Sequence, residues 1–172
     1  SGGSEGGGID SSTGLTIIDS TISGNRIIDT DAASTFNEGG GINLEISPSS
    51  AIEEGEPTDT IIVNSTISGN SVSAGDNVYG GGIYYETNND FDFVLTIINT
   101  TIYDNEVTAT SGSPGANQAG GGIYLNSFLF DDWSLAFTLH NTIVAGSQVG
   151  GVAGHDCVPS GPNIALALAR LA

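Results

Sequence analysis

With 172 residues, 26 of them glycine, the chain has the size of one domain. Twenty acidic residues against two basic ones give a net charge of −18, with no lysine, so nothing neutralises phosphates and nucleic acid is excluded as a partner. An anionic membrane surface repels such a chain, and no apolar run is long enough to span a bilayer, which excludes membrane insertion.

In chain order, the first unit opens on Gly6-Gly7-Gly8-Ile9, continues through Leu15-Thr16-Ile17-Ile18-Asp19 and ends in Ser20-Thr21-Ile22-Ser23-Gly24-Asn25. The second repeats this as Gly39-Gly40-Gly41-Ile42, Thr60-Ile61-Ile62-Val63-Asn64 and Ser65-Thr66-Ile67-Ser68-Gly69-Asn70. The third reads Gly80-Gly81-Gly82-Ile83, Leu95-Thr96-Ile97-Ile98-Asn99 and Thr100-Thr101-Ile102-Tyr103-Asp104-Asn105. The fourth reads Gly120-Gly121-Gly122-Ile123, Phe137-Thr138-Leu139-His140-Asn141 and Thr142-Ile143-Val144-Ala145-Gly146-Ser147. The leading glycines are 33, 41 and 40 residues apart. Self-similarity at such a period, built from short β-branched runs, marks a solenoid whose neighbouring units bury one continuous core.

Three strands per unit are expected, stacked at about 4.8 Å, with like residues in file. Ile9, Ile42, Ile83 and Ile123 form one inward column. Ile17, Ile62, Ile97 and Leu139 form a second, and Ile22, Ile67, Ile102 and Val144 a third. Asp19, Asn64, Asn99 and Asn141 make a polar ladder, expected to face inward, whose amides hydrogen-bond between units. The glycine triplets suit bends where backbones approach closely or φ is positive. Residues 10–14, 43–59, 84–94 and 124–136 are assigned to connections. So are 26–38, 71–79 and 106–119, and such loops commonly form a solenoid's working face.

After Ser147 the pattern breaks. Residues 148–163 read as a loop, and Ile164, Leu166 and Leu168 alternate with alanine as in a strand, although alanine, leucine and arginine also favour helix. Residues 1–147 are therefore assigned to the coil, and 148–172 to a loop with a cap or final strand. The single cysteine, Cys157, excludes an internal disulfide framework. Opening on Ser1, the chain is expected to be a processed product or an excised piece, with export inferred.

The phrase Gly-Gly-Gly-Ile-Tyr at 80–84 and 120–124, with the runs ending at Asn99 and Asn70, resembles the right-handed parallel β-helix repeats of bacterial and archaeal surface proteins. These include the polymorphic outer-membrane-protein type and predicted adhesins. Residues 141–146 and Asp156-Cys157 resemble their closing repeat. The resemblance implies an all-β, right-handed parallel β-helix of about four rungs at the cell surface or outside the cell, with an adhesive or structural role and no transferred catalytic residue.

Candidate chemistry lies in the loops. Asp131 and Asp132 pair beside Trp133, and Gly154-His155-Asp156 looks superficially like an element of polysaccharide-cleaving β-helices. Two carboxylates about 5–9.5 Å apart could share acid and nucleophile roles, but adjacent strand residues face opposite ways. Phe91, Phe93, Phe128, Phe130 and Trp133 could form a glycan-stacking platform, although packing of the loops onto the coil explains them as well. Calcium is the one cofactor suggested, through Asp29, Asp31, Glu53, Glu54, Glu56, Asp90 and Asp92. Solvated charge is the preferred reading, since neither calcium-loop motif is present. Asn64-Ser65-Thr66 and Asn99-Thr100-Thr101 match glycosylation acceptors, but an inward ladder would hide both.

The neighbours of the second inward column, Ile18, Val63, Ile98 and His140, should face outward. An exposed apolar stripe there wants a cover from loops or a second subunit. A non-enzymatic extracellular structural or adhesive module, self-associating end to end or laterally, is thus the expected function. Glycan binding or polysaccharide cleavage by the 90–93 and 128–133 loops is the alternative. An outward threonine row for ice binding (Thr16, Thr96, Thr138) is interrupted by Ile61.

Overall fold

The computed structural model describes residues 4–30, 36–46, 58–88, 93–111, 117–128, 135–153, 156–160 and 164–169. The described residues are all-β, with neighbouring strands parallel except for one hairpin at residues 148–153, and the arrangement is compatible with a parallel β-solenoid.

Five sheets run along the molecule, and successive repeats each add one strand to each sheet. Sheet A holds Ser4–Glu5, Asn37–Glu38, Val78–Tyr79 and Gln118–Ala119. Sheet B holds Ile9–Ser11, Ile42–Ile46, Ile83–Asn88, Ile123–Phe128 and Cys157–Ser160. Sheet C holds Thr16–Ile18, Thr60–Val63, Phe93–Ile98, Leu135–His140 and Ile164–Ala169. Sheet D holds Thr21–Ser23, Thr66–Ser68, Thr101–Tyr103 and Ile143–Ala145. Sheet E holds Arg26–Ile28, Ser71–Ala74, Glu106–Ala109, Gln148–Val149 and Val152–Ala153.

Five strands per repeat replace the expected three. The short strands of sheets A and E lie in segments assigned to connections, and the Gly-Ile strands run to residues 46, 88 and 128, well into others. In residues 84–87 and 124–127, Tyr85, Thr87, Leu125 and Ser127 are buried. Alternate positions therefore face the core, which holds the segment extended. In the tail, Ile164–Ala169 is a strand rather than a helix, parallel to Leu135–His140.

Register carries the core. Ile9, Ile42, Ile83 and Ile123 are mutually in register, and Cys157 follows Ile123. Ile17, Ile62, Ile97 and Leu139 are likewise aligned, as are Ile22, Ile67, Ile102 and Val144. These columns form one apolar cluster with Leu44, Phe93, Leu95 and Phe137. A second, smaller cluster of Ile27, Val72, Val78 and Val107 lies under sheets A and E.

The polar ladder needs correcting. Asp19, Asn64, Asn99 and Asn141 all have φ near +50°, a left-handed conformation that Asn and Asp tolerate better than other side chains. They turn the chain from sheet C to sheet D with their side chains exposed. Asn99 Nδ2 donates to Asn64 Oδ1, and Asn141 Nδ2 to Asn99 Oδ1, each at 3.1 Å in solvent. The acceptor asparagines of the two glycosylation motifs thus face outward, against the inward placement expected.

The buried ladder stands six residues further along each repeat. Asn25 Nδ2 donates to Asn70 Oδ1 and Asn70 Nδ2 to Asn105 Oδ1, each at 3.0 Å. The same oxygens accept the backbone N–H groups of Asn25 and Asn70, also at 3.0 Å. Asn70 and Asn105 are fully buried, and each also donates to a main-chain carbonyl, of Ile22 and Ile67 respectively. Buried amides are thereby satisfied between neighbouring repeats.

Candidate binding groove

The glycine triplet joins sheet A to sheet B and brings their outward faces together. Gly80 has φ +61°, and a β-carbon there would stand 2.6 Å from the Ile83 carbonyl oxygen and 2.7 Å from the Tyr84 α-carbon. This tight turn places Tyr79, from sheet A, beside Tyr84 and Tyr124, from sheet B. The Tyr79 and Tyr124 rings stack at 4.7 Å between centroids, and Tyr84 and Tyr124 at 5.7 Å. Tyr79 and Tyr84 are tilted at 6.4 Å.

These rings floor a groove of about 460 Å³. Its sides carry Glu5 and Glu38 from sheet A, Glu45, Glu86 and Asn126 from sheet B, and exposed Phe36. Glu38 and Tyr79 share one register line and Glu45, Glu86 and Asn126 another, so the carboxylates come from neighbouring repeats. Tyr84 donates its hydroxyl hydrogen to Glu86 Oε2, which also accepts from Asn126 Nδ2 at 2.9 Å. At the first repeat, Asn43 Nδ2 donates to Asp10 Oδ1 at 3.0 Å.

Among the described residues, no basic side chain lines the groove. Burial pushes the Glu38 carboxyl up to about 9, helped by its hydrogen bond with Glu45 and by the charges of Glu45 and Glu86; the Tyr84 hydroxyl opposes the shift. Glu38 is therefore neutral at pH 7 and bridges to Glu45 through its proton. Glu5 is also raised, by burial first and then by Glu45, Asp10 and Glu86. Tyr79 rises to about 12 through burial, with Tyr124 and Glu38 adding. Tyr84 is raised by burial and by the neighbouring Glu38 and Glu86.

Phe91, Phe130, Asp131, Asp132 and Trp133 lie outside the described residues, as do Asp31, Glu53, Glu54, Glu56, Asp90, Asp92 and His155. Phe128 ends the Ile123–Phe128 strand, in register with Asn88. Phe93 is fully buried in the core, so it belongs to no surface platform. It begins a strand two residues before the expected run, at an inward position. Among the described residues, no three acidic, His or Cys side chains are placed to hold a metal ion.

Ile18, Val63, Ile98 and His140 are in register on the outer face of sheet C, with Ile18 exposed and the others half-buried. Cys157 continues the isoleucine column of sheet B, and burial with nearby Asp156 pushes its thiol up to about 11, so it stays protonated at neutral pH.

The groove went unread in the sequence because Tyr84, Glu86, Tyr124 and Asn126 stand in segments taken as loop. The signal was present: Tyr follows Gly-Gly-Gly-Ile in two repeats, and an acid or amide follows two residues later. No family model, curated protein or solved structure matches this chain.

Proposed function

We propose that the chain is a non-enzymatic extracellular module, structural or adhesive, built as a right-handed parallel β-helix of about four rungs and associating with further copies through its first-repeat edge. One observation carries this reading. Ser4–Glu5, Ile9–Ser11, Thr16–Ile18, Thr21–Ser23 and Arg26–Ile28 are each the terminal strand of their sheet. Each of these edges can take a further rung, whether an adjoining segment of the same protein or a second copy.

The other end differs. Gln148–Val149 turns back through Gly150 and Gly151, both at positive φ, into the antiparallel Val152–Ala153 strand. That hairpin closes sheet E alone against parallel addition; Gln118–Ala119, Cys157–Ser160, Ile164–Ala169 and Ile143–Ala145 are the last strands of sheets A to D at this side. The acidic surface, and Ile18 exposed on sheet C, suit an extracellular face with lateral contacts.

Glycan binding or polysaccharide cleavage is the second reading, and the 90–93 and 128–133 loops on which it rests lie for the most part outside the described residues.

Thr66 N donates to Ser20 O, and Thr101 N to Ser65 O. The N–H of Thr21 is next in that line and is the donor offered to an incoming strand. Light scattering and electron microscopy over a concentration series should show multimers that Thr21→Pro reduces while circular dichroism stays β-type. A strictly monodisperse monomer at high concentration overturns the proposal.

A further inference from the structure

Two corners of the coil carry a modification signal that the fold leaves in the open. Asn64-Ser65-Thr66 and Asn99-Thr100-Thr101 each set a hydroxyl two residues after an asparagine with no proline between, the pattern of an N-glycosylation acceptor. Of the chain's fourteen asparagines only these two stand in that pattern. Both fall at the same corner of consecutive repeats, where sheet C turns into sheet D.

Placement decides whether such a match can be used. Asn70 and Asn105 of the inner ladder are fully buried, and a sugar on either would break the stack. Asn64 and Asn99 instead turn outward at φ near +50°, with exposed side chains. Beneath them the corner is fixed: the Ser65 and Thr100 hydroxyls donate to the Val63 and Ile98 carbonyls at 2.8 and 2.9 Å. Thr66 and Thr101, which supply the second hydroxyl, are in register and half-buried on sheet D. A carboxamide nitrogen carries two hydrogens. Asn99 Nδ2 gives one to Asn64 Oδ1 at 3.1 Å, so substitution of the other leaves the outer ladder intact. Val63 and Ile98, half-buried on the outer face of sheet C, immediately precede the two asparagines. The C–H face of a first sugar laid back over the sheet would cover them, and that stretch of the apolar stripe wants a cover.

We propose that Asn64 and Asn99 are N-glycosylation sites, with an oligosaccharide on the amide nitrogen of one or the other. This rests on the extracellular placement proposed above, because acceptors of this kind are used in exported chains. The donor is an oligosaccharide held through its anomeric carbon by a lipid phosphate. The amide nitrogen attacks that carbon; the N–C bond forms as the C–O bond to phosphate breaks. The nitrogen's proton passes to a base of the transferase and the lipid phosphate departs. No oxidant or reductant enters. Because the two side chains touch, each molecule has room for one glycan in this row.

The test uses the protein purified from the cells that make it. Glycopeptide mass spectrometry should place an oligosaccharide on Asn64 or Asn99. Replacing both by glutamine should remove it. Thr66→Ala with Thr101→Ala should also remove it while keeping both amides, and Thr66→Ser with Thr101→Ser should restore it. Asn141→Gln, at an exposed corner without the second hydroxyl, should leave it in place. Circular dichroism should stay β-type in every variant. Unmodified Asn64 and Asn99, or a sugar that persists in the double glutamine variant, overturns the proposal. Protease treatment of whole cells separates this from the wider reading. Unmodified asparagines on a protein cleaved from outside sink the glycan alone, whereas a protein shielded within the cell sinks the extracellular reading with it.

Discussion

Glu38 makes the groove's electrostatics measurable as stability. Its folded value, about 9, lies above the ordinary 4.5, so the native state holds a proton that the unfolded chain releases between those limits. Stability from this group is full below about pH 4.5 and is lost as pH rises toward 9. Glutamine keeps the neutral hydrogen-bonding shape without a charge to desolvate. Glu38→Gln should therefore leave the thermal midpoint at pH 4 unchanged and raise it at pH 8. The expected rise is about 3 °C, what roughly 1 kcal/mol gives in a chain of this size. A midpoint unchanged at both pH values would show that burial, with Glu45 and Glu86, does not hold that proton in place. The asparagines make a second contrast. Asn105→Ala strands the buried amide donors of Asn70 and the Ile67 carbonyl, and should cost about 3 kcal/mol in denaturant unfolding. Asn99→Gly removes only two exposed amide hydrogen bonds at positive φ and should be close to neutral. Sequence alone did not separate these two ladders, because three of the four repeats present both as an Asn or Asp closing an Ile-containing run. What separates them is which way the corner turns, and that is set by the left-handed backbone at Asn64 and Asn99.

The glycine triplet shows the same division within one element. Its first member supplies positive φ, while the second and third let neighbouring repeats touch. A β-carbon on Gly82 would stand 2.5 Å from the Gly122 carbonyl oxygen and 3.0 Å from the Asn105 amide. None of these atoms can yield without breaking the stack, so Gly82→Ala should cost more than about 4 kcal/mol or prevent folding. Gly69, at φ +61° with nothing within 4 Å, isolates the conformational cost; Gly69→Ala should lose only about 1 kcal/mol. Similar losses in the two variants, by denaturant titration, would remove the close-approach argument. The triplets and the Ile-rich runs made the all-β, parallel architecture legible, because identical phrases at a fixed period pair most simply in register. The strands at 37–38, 71–74 and 106–109 were not legible. They are short, differ between repeats, and are held by partners 33 to 45 residues away. The groove went unread with them, since half of it hangs on sheet A and the rest on residues whose alternation extends past the recognisable phrase.

At the scale of the whole molecule the governing quantity is charge. A net −18 spread over a chain of 172 residues opposes compaction and opposes contact between copies, yet five strand edges at the first repeat favour that contact. Which wins depends on screening, because the Debye length falls from about 30 Å at 0.01 M salt to about 3 Å at 1 M. Backbone pairing at an edge acts over one hydrogen-bond length and is little weakened by salt, whereas repulsion between acidic surfaces is longer in range. Raising sodium chloride from about 10 mM to 1 M should therefore raise the thermal midpoint and, in the same series, shift the sedimentation profile toward multimers. Thr21→Pro should keep the gain in midpoint and lose the shift in sedimentation, since it leaves the charge intact and removes the edge donor. If salt raised the midpoint but left both proteins equally monomeric, strand edges would not be the surface through which copies meet, and the exposed face of sheet C around Ile18 would take their place.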